Sequence, residues 1–264
     1  MFVYIYIYIM NILGSFIGKK HKRYDVTHVK SSHITLNYKP NMEKENIYLI
    51  YQYFVPSTKA RINEMQETLR RNIDNQYISK IYILCERLYT NKELGLKNDT
   101  DKIVQVIIGR RMLFSDVFAF VEKNNLKGYI ITCNSDIFFD DSISKLHYSD
   151  LNVSRKVISL LRWEYIHGKP LEDCKLYGNN LNYSQDSWIF HSNFNIPQNK
   201  RSLFHINFGI PGCDNKILHI FNANNFLINN DPTMFRSYHY HRYRTVNNNS
   251  RIDPPYVFVN PEIY

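Results

Sequence analysis

Apolar residues fall along the chain in short dense runs, separated by stretches with helical spacing. Residues 47–55 read IYLIYQYFV, the continuous apolar and aromatic run expected of a strand buried on both faces. Pro56, Ser57 and Thr58 end it and offer a helix cap. Ile62, Met65, Leu69 and Ile73 then recur at the three- and four-residue spacing of one helix face, with Glu67 and Arg71 placed to pair on the outer side. SKIYILC at 79–85 predicts a second strand. A charged loop over 90–102 leads to IVQVII at 103–108, a third strand. Phe114, Val117, Phe118, Phe120 and Val121 predict a helix over 114–124, and KGYIITC at 127–133 predicts a fourth strand.

Strand, helix, strand, strand, helix, strand is the signature of an α/β fold with a mostly parallel sheet. Such sheets bind ligands beyond the carboxyl ends of their strands, so the residues just past each strand carry the chemical interest. These are Pro56-Ser57-Thr58, Glu86-Arg87, Gly109-Arg110-Arg111 and Asn134-Ser135-Asp136. None of these turns carries G-x-G-x-x-G or G-x-x-x-x-G-K-[ST], so neither a dinucleotide fingerprint nor a P-loop is supported. After Asp136 the pattern changes. Residues 156–164 (KVISLLRWE) and 187–191 (SWIFH) read as strands with polar interruptions, Pro211-Gly212 turns into a short helix near 214–223, and SYHYHRYR occupies 237–244. The expected organisation is an N-terminal apolar and basic segment over 1–41, one domain over 42–246, and a mobile Asn-rich tail over 247–264.

The first segment bears on location. Residues 2–17, FVYIYIYIMNILGSFI, are apolar but short of the roughly 20 residues a spanning helix needs, and no positive region precedes them as in a cleavable signal. The following KKHKR would stay in the cytoplasm with the rest of the chain if 2–17 inserted. The expectation is therefore a cytoplasmic protein with a route to membrane association through 2–17. Two other readings stay open: the true start lies at Met10 or Met42, or YIYIYI is a strand.

Composition and charge narrow the class. With 264 residues, 44% hydrophobic, 9 Gly and 9 Pro, collagen-like, Pro-rich and disordered chains are excluded. A net charge of +9 invites a nucleic-acid partner. Its distribution argues against one: Lys19, Lys20, Lys22, Arg23, Lys30 and Lys39 stand against Asp25 alone in residues 1–41, leaving the rest of the chain close to neutral for its size. The four cysteines, Cys85, Cys133, Cys174 and Cys213, form no C-x-x-C pair, which argues against a structural zinc site and for buried free thiols.

Four constellations carry candidate chemistry. Asp136 ends the fourth strand in Asn134-Ser135-Asp136, where a carboxylate can hold a divalent cation that neutralises a diphosphate; Asp140 and Asp141 follow, and capping a helix near Ser142 is the plainer use for them. Asp214, after the Gly209-Ile-Pro-Gly turn, is either a general base or a helix cap. His239-x-His241 puts two imidazoles on one strand face, beside Arg242 and Arg244, so that a metal or a phosphate can meet them; an exposed polar strand is the alternative. Asp186 and Trp188, in Ser184-Gln185-Asp186-Ser187-Trp188, suit an acid-plus-aromatic sugar site as well as a turn followed by a core Trp.

In their order along the chain, these motifs resemble the GT-A-fold nucleotide-sugar glycosyltransferases. NSDIFFD at 134–140 sits where that fold keeps its metal-binding D-x-D, GIPGCDN at 209–215 is similar to its acidic motif at a helix start, and the later histidine resembles its C-terminal metal ligand. The resemblance covers about residues 45–246. It implies a Rossmann-type βα nucleotide-binding half beside a mixed acceptor-side half. It implies a hexosyl- or deoxyhexosyl-transferase of glycan biosynthesis that uses a nucleoside-diphosphate sugar, with a UDP-sugar favoured, and Mn or Mg.

Residue by residue, Asp136 with His239 or His241 would hold the metal, His239 being favoured. Asn134, Arg110 or Arg111, Pro56 and Arg242 would reach the nucleotide or its phosphates. Asp214 would deprotonate the acceptor hydroxyl, giving inversion, with Asp186 in reserve for that role or for holding acceptor hydroxyls. Asn134 departs from the pattern, since it replaces the first acid and brings no charge. That departure motivates one rival, a catalytically inactive nucleotide-sugar-binding module. Asp136, Asp140 and the two histidines motivate a second, a metal-dependent phosphoesterase.

Overall fold

The structure, a computed structural model, describes residues 25–38, 43–178, 184–242 and 250–263. Its central sheet is built from β2 (Ile47–Tyr51), β3 (Lys80–Cys85), β4 (Ile103–Ile107), β5 (Tyr129–Cys133), β7 (Lys156–Leu160), β10 (Ser187–His191) and β11 (Leu227–Asn229). The strands lie in the order β11-β7-β10-β5-β2-β3-β4, and all run the same way except β10. The chain winds outward through β2, β3 and β4, then returns across β2 to lay β5 on its other side. Winding reverses between β2 and β5, and at such a switch point the loops beyond the carboxyl ends part to leave a crevice.

Both faces of the sheet are covered, which is why its strands read as unbroken apolar runs. On one face Leu49, Tyr51, Ile81, Ile83 and Ile131 pack with Met65 and Leu69 of helix α1 (Lys59–Asp74). On the other Ile50, Leu84, Ile130, Trp188 and Phe190 pack with α3 (Phe114–Lys123) and α4 (Cys213–Ala223). A single turn of helix, α2 (Asn91–Leu94), starts the charged 90–102 loop. Thr58 caps α1 by accepting from the Arg61 N–H, and Glu67 pairs with Arg71 at 2.8 Å, both as the spacing predicts. All four cysteines are buried, free thiols.

A second sheet of β6 (Ile137–Phe139), β12 (Ser237–His239), β8 (Trp163–Glu164) and β9 (Lys175–Leu176) flanks the carboxyl edge in the order β6-β12-β8-β9. β1 (Val26–Val29) pairs in parallel with β13 (Tyr256–Val259).

Several sequence expectations change here. The run 47–55 stops being a strand at Tyr51; beyond it Tyr53 stays in the core, while Gln52, Phe54 and Val55 line a cleft. Gln52 is fixed there by donating to the Arg110 carbonyl at 3.2 Å and accepting from the Met112 N–H at 3.0 Å. The stretch 156–164 is two strands in two different sheets, so Arg162 and Glu164 belong to the smaller one and its approach. Trp188 is fully buried, edge-on to Phe114 at 4.8 Å, and so is a core residue rather than a sugar platform. The chain beyond 246 is not only a tail: Val257 and Val259 are buried in the core beside α4, and β1 pairs with their strand. The folded unit therefore extends past 42–246 on both sides. Residues 2–17 and Arg244 lie outside the described residues, and among those described no helix is long and apolar enough to cross a membrane.

Candidate functional site

The crevice at the switch point opens into a cleft of about 920 Å³. Its floor is Cys133, Asn134, Ser135 and Asp136 from the end of β5; Gln52 and the stretch from Phe54 to Thr58, beyond the end of β2, form one wall. Arg61, Arg87, Arg111 and Arg162 line it together with Asp186, His239 and His241.

Strand register assembles the core of the site. In the small sheet β12 lies antiparallel to β6, which sets His239 opposite Ile137, and parallel to β8, which sets His239 opposite Glu164. His239 thus stands beside Asp136 on one flank and Glu164 on the other. Its Nε2 lies 3.2 Å from Asp136 Oδ2, and its Nδ1 3.2 Å from Glu164 Oε2. His241, two residues on, brings Nδ1 to 3.6 Å from the same Asp136 oxygen. The ligand-capable atoms of Asp136, His239 and His241 all lie within 4.8 Å of one another. The expected trio of Asp136, His239 and His241 converges.

Helix α1 holds this loop from below. Its buried polar residues and its C-terminal cap follow one stripe: Thr68 donates to the Ser135 carbonyl at 2.9 Å, Asn72 donates to the Ile137 carbonyl at 2.9 Å and accepts from the Phe139 N–H at 3.2 Å, and the cap Asn75 donates to the Phe139 carbonyl at 3.0 Å. Glu64, at the cleft end of the stripe, accepts from the Arg242 N–H at 2.8 Å and from Arg61 Nη1 at 2.9 Å. Arg61 also donates through Nη2 to Asp136 Oδ2 at 2.5 Å. Next to this cluster, Arg162 pairs with Glu164 at 2.8 Å, with Asp186, and with the Ser184 hydroxyl at 2.8 Å. Asn134 donates to the other Asp186 oxygen at 2.7 Å.

The electrostatics follow from these pairings. Burial pushes the Asp136 carboxyl up, but His239 and Arg61 outweigh it and hold the group well below the usual carboxylate range. Burial opposes charge on His239, yet Asp136 and Glu164 raise its pKa to about 9. Glu164 is brought down to about 2 because His239 and Arg162 overcome its burial. His241 is lowered, by burial first and then by Arg61. Asp214 goes the other way: crowded by protein although partly exposed, its carboxyl rises to about 7, through burial and then Asp186, against backbone N–H donors at Asn215 and Gln185.

Two features bear on whether a cation fits. His241 Nε2 is buried and has no hydrogen-bond partner among the described residues. His239 Nδ1 is backed by Glu164, the carboxylate–histidine arrangement that fixes a metal-ligating imidazole. One carboxylate and two imidazoles form a donor set that suits Mn better than Mg, which prefers all-oxygen surroundings.

The other expected residues divide. Asn134, Pro56, Arg111 and Asp186 line the cleft. Arg110 does not; it is turned onto Asp116, with both contacts at 2.7 Å. Arg242 lies outside it, on a neighbouring depression of about 510 Å³. Asp214 is in the first turn of α4 behind Asp186 and is not among the cleft residues. The cap there is Gly212, whose φ of +84° favours glycine and whose Cβ would meet Tyr256 Oη at 3.0 Å.

Sequence reasoning missed Arg61, Arg162 and Glu164. Arg162 and Glu164 did carry a signal, opposite charges two residues apart on one strand face. Arg61 carried another, its place in the first turn of the helix after the first strand.

No family model matches the chain, and no curated protein does. Among solved structures it is similar to a mannosyltransferase from Pyrobaculum calidifontis in complex with GDP-Man and Mn2+, with 8% identity, a TM-score of 0.47, and coverage of 87% of this chain and 64% of that one. It is also similar to GalNAc-T7 with UDP, GalNAc and Mn2+, at 11% identity and a TM-score of 0.48, covering 78% of this chain and 45% of that one. A 4-diphosphocytidyl-2C-methyl-D-erythritol synthase from Anaerococcus prevotii matches at 12% identity and a TM-score of 0.41 over 70% of this chain and 86% of that one. The chain thus spans less than two thirds of the length of the first two. These likenesses concern fold, and at such scores they carry nothing about activity.

Proposed function

We propose that the chain is a glycosyltransferase moving a sugar from a nucleoside-diphosphate sugar to an acceptor hydroxyl, with a divalent cation held by Asp136, His239 and His241. The observation that supports this is the convergence of those three side chains at the switch-point crevice, in a cleft lined by four arginines. A cation there would supply Lewis-acid stabilisation of the diphosphate leaving group. Arg61, Arg111 and Arg162 line the cleft and would offer positive charge to the phosphates of an anionic ligand. Pro56 and the adjoining wall face the nucleotide side, and uridine is the base we favour.

The two acids of the acceptor side have different tasks. Asp186 accepts from Arg162 on one oxygen and from Asn134 on the other, which fixes its carboxylate at the cleft and suits it to accept hydrogen bonds from sugar hydroxyls. Asp214, lifted to about 7, has the proton affinity of a general base at neutral pH; lying behind Asp186, it would take the acceptor proton through an intervening water, with inversion at the anomeric carbon. We further propose a cytoplasmic location, with membrane association through residues 2–17.

The test is turnover with a panel of UDP- and GDP-sugars and Mn2+, read as release of nucleoside diphosphate. Release that disappears in Asp136→Asn supports a transferase. Binding without release supports an inactive module, and release of inorganic phosphate supports a phosphoesterase.

A further inference from the structure

Arg61 stands where an arriving cation would have to go. Its Nη2 donates to Asp136 Oδ2, the same oxygen that faces His239 Nε2 at 3.2 Å and His241 Nδ1 at 3.6 Å. A guanidinium and a divalent ion cannot both crowd one carboxylate oxygen in a partly desolvated site without strong repulsion. The Arg61 side chain has other anchors that lie off the trio: Nη1 donates to Glu64 Oε2 at 2.9 Å and to the Tyr240 carbonyl at 3.3 Å. It also lines the cleft, where an anionic ligand would lie.

We propose that Arg61 is a positioning residue that acts as a cationic placeholder: without metal it neutralises Asp136, and on metal entry it releases Asp136, keeps its hold on Glu64 and turns to the phosphates of the ligand. This rests on the metal reading above. Two properties follow. Arg61 weakens the site for metal alone. It also ties metal uptake to an anion, because whatever draws the guanidinium into the cleft frees Asp136, and by linkage the coupling works in both directions. The buried pair is thereby given a use beyond stability, for which a buried ion pair is weak support.

The experiment is calorimetric titration of the whole protein with Mn2+ alone, then with Mn2+ in the presence of pyrophosphate. Wild type is compared with Arg61→Gln, which keeps a hydrogen-bonding side chain, and with Arg61→Met as a second neutral variant. Both variants are expected to bind Mn2+ alone at least tenfold more tightly than wild type, and to gain less from pyrophosphate. Their metal-free melting temperatures fall and recover with saturating Mn2+. Affinity for Mn2+ equal to or weaker than that of wild type, in whichever variant folds, overturns the placeholder role and leaves the metal reading standing. Absence of Mn2+ binding in wild type and variants alike overturns the metal reading, and the placeholder with it.

Discussion

Asp136 concentrates the chemistry of the cleft, because one of its oxygens faces a guanidinium and two imidazoles. Asp136→Ala leaves Arg61 and His239 as neighbouring buried cations with only Glu64 and Glu164 as counter-charges, at a cost below the roughly 3–5 kcal/mol of a wholly uncompensated buried charge. Denaturant melts should show that loss, and Mn2+ titration should show no binding. Asp136→Asn should lose the metal with a smaller cost in stability. Asp214 makes an independent prediction. Its unfolded pKa is near 3.9 and its folded value about 7, so the folded protein holds the extra proton between these values and loses stability as pH rises through them. Asp214→Asn should therefore be more stable than wild type at pH 8 by on the order of 2 kcal/mol, less than the full shift implies because the group is partly exposed, and no more stable below pH 4. If Asp214 is the base, wild-type kcat/KM rises with pH toward a plateau above about 7, and the variant loses at least roughly a hundredfold with no such limb. Equal pH profiles for the two proteins would remove Asp214 from the reaction.

Among the elements, α1 does more than cover the sheet. Its apolar face, Met65 and Leu69, was legible from spacing, whereas the stripe of Thr68, Asn72 and Asn75 that grips the backbone of 135–139 was not. Polar side chains that bond to backbone carry no periodic signature of their own, since their partners are distant in sequence. Asn72→Leu leaves the Ile137 carbonyl and the Phe139 N–H buried without partners. That should cost about 2–4 kcal/mol by thermal or denaturant melting and weaken Mn2+ binding through the displaced Asp136 loop. The long strands β2, β3, β4 and β5 were readable because both sheet faces are covered and their runs are unbroken. β6 was missed because three residues, Ile137 to Phe139, show no period, and the break between β7 and β8 was missed because apolar residues continue across it. Asp136 and the His239-x-His241 pair were visible as strand-end chemistry. Their partners Arg61, Arg162 and Glu164 carried weaker signals, and strand register, which sets His239 opposite Glu164, is what joins Glu164 to the site.

The whole molecule is closed by its two flanking segments, β1 and β13, which pair with each other, β13 packing beside α4. Val257 is fully buried, so Val257→Asp should lower the melting temperature by many degrees; an unchanged melt would mean that this strand is dispensable to the fold. The same closure lies near the site, since Arg251 Nε donates to Tyr256 Oη at 3.2 Å beside the Gly212 turn that begins α4 and leads to Asp214. The architecture thus brings the end of β5, the helix after β2, the small sheet and the start of α4 around one crevice, which under the proposed function takes a nucleoside diphosphate through a cation. Calorimetric titration of UDP and GDP into the protein, with Mn2+ and with a chelator in its place, tests this most directly. Binding is expected with Mn2+ and is lost with the chelator and in Asp136→Asn; undiminished binding in Asp136→Asn, or no binding of either nucleotide to wild type with Mn2+, would contradict the cation's role in the crevice.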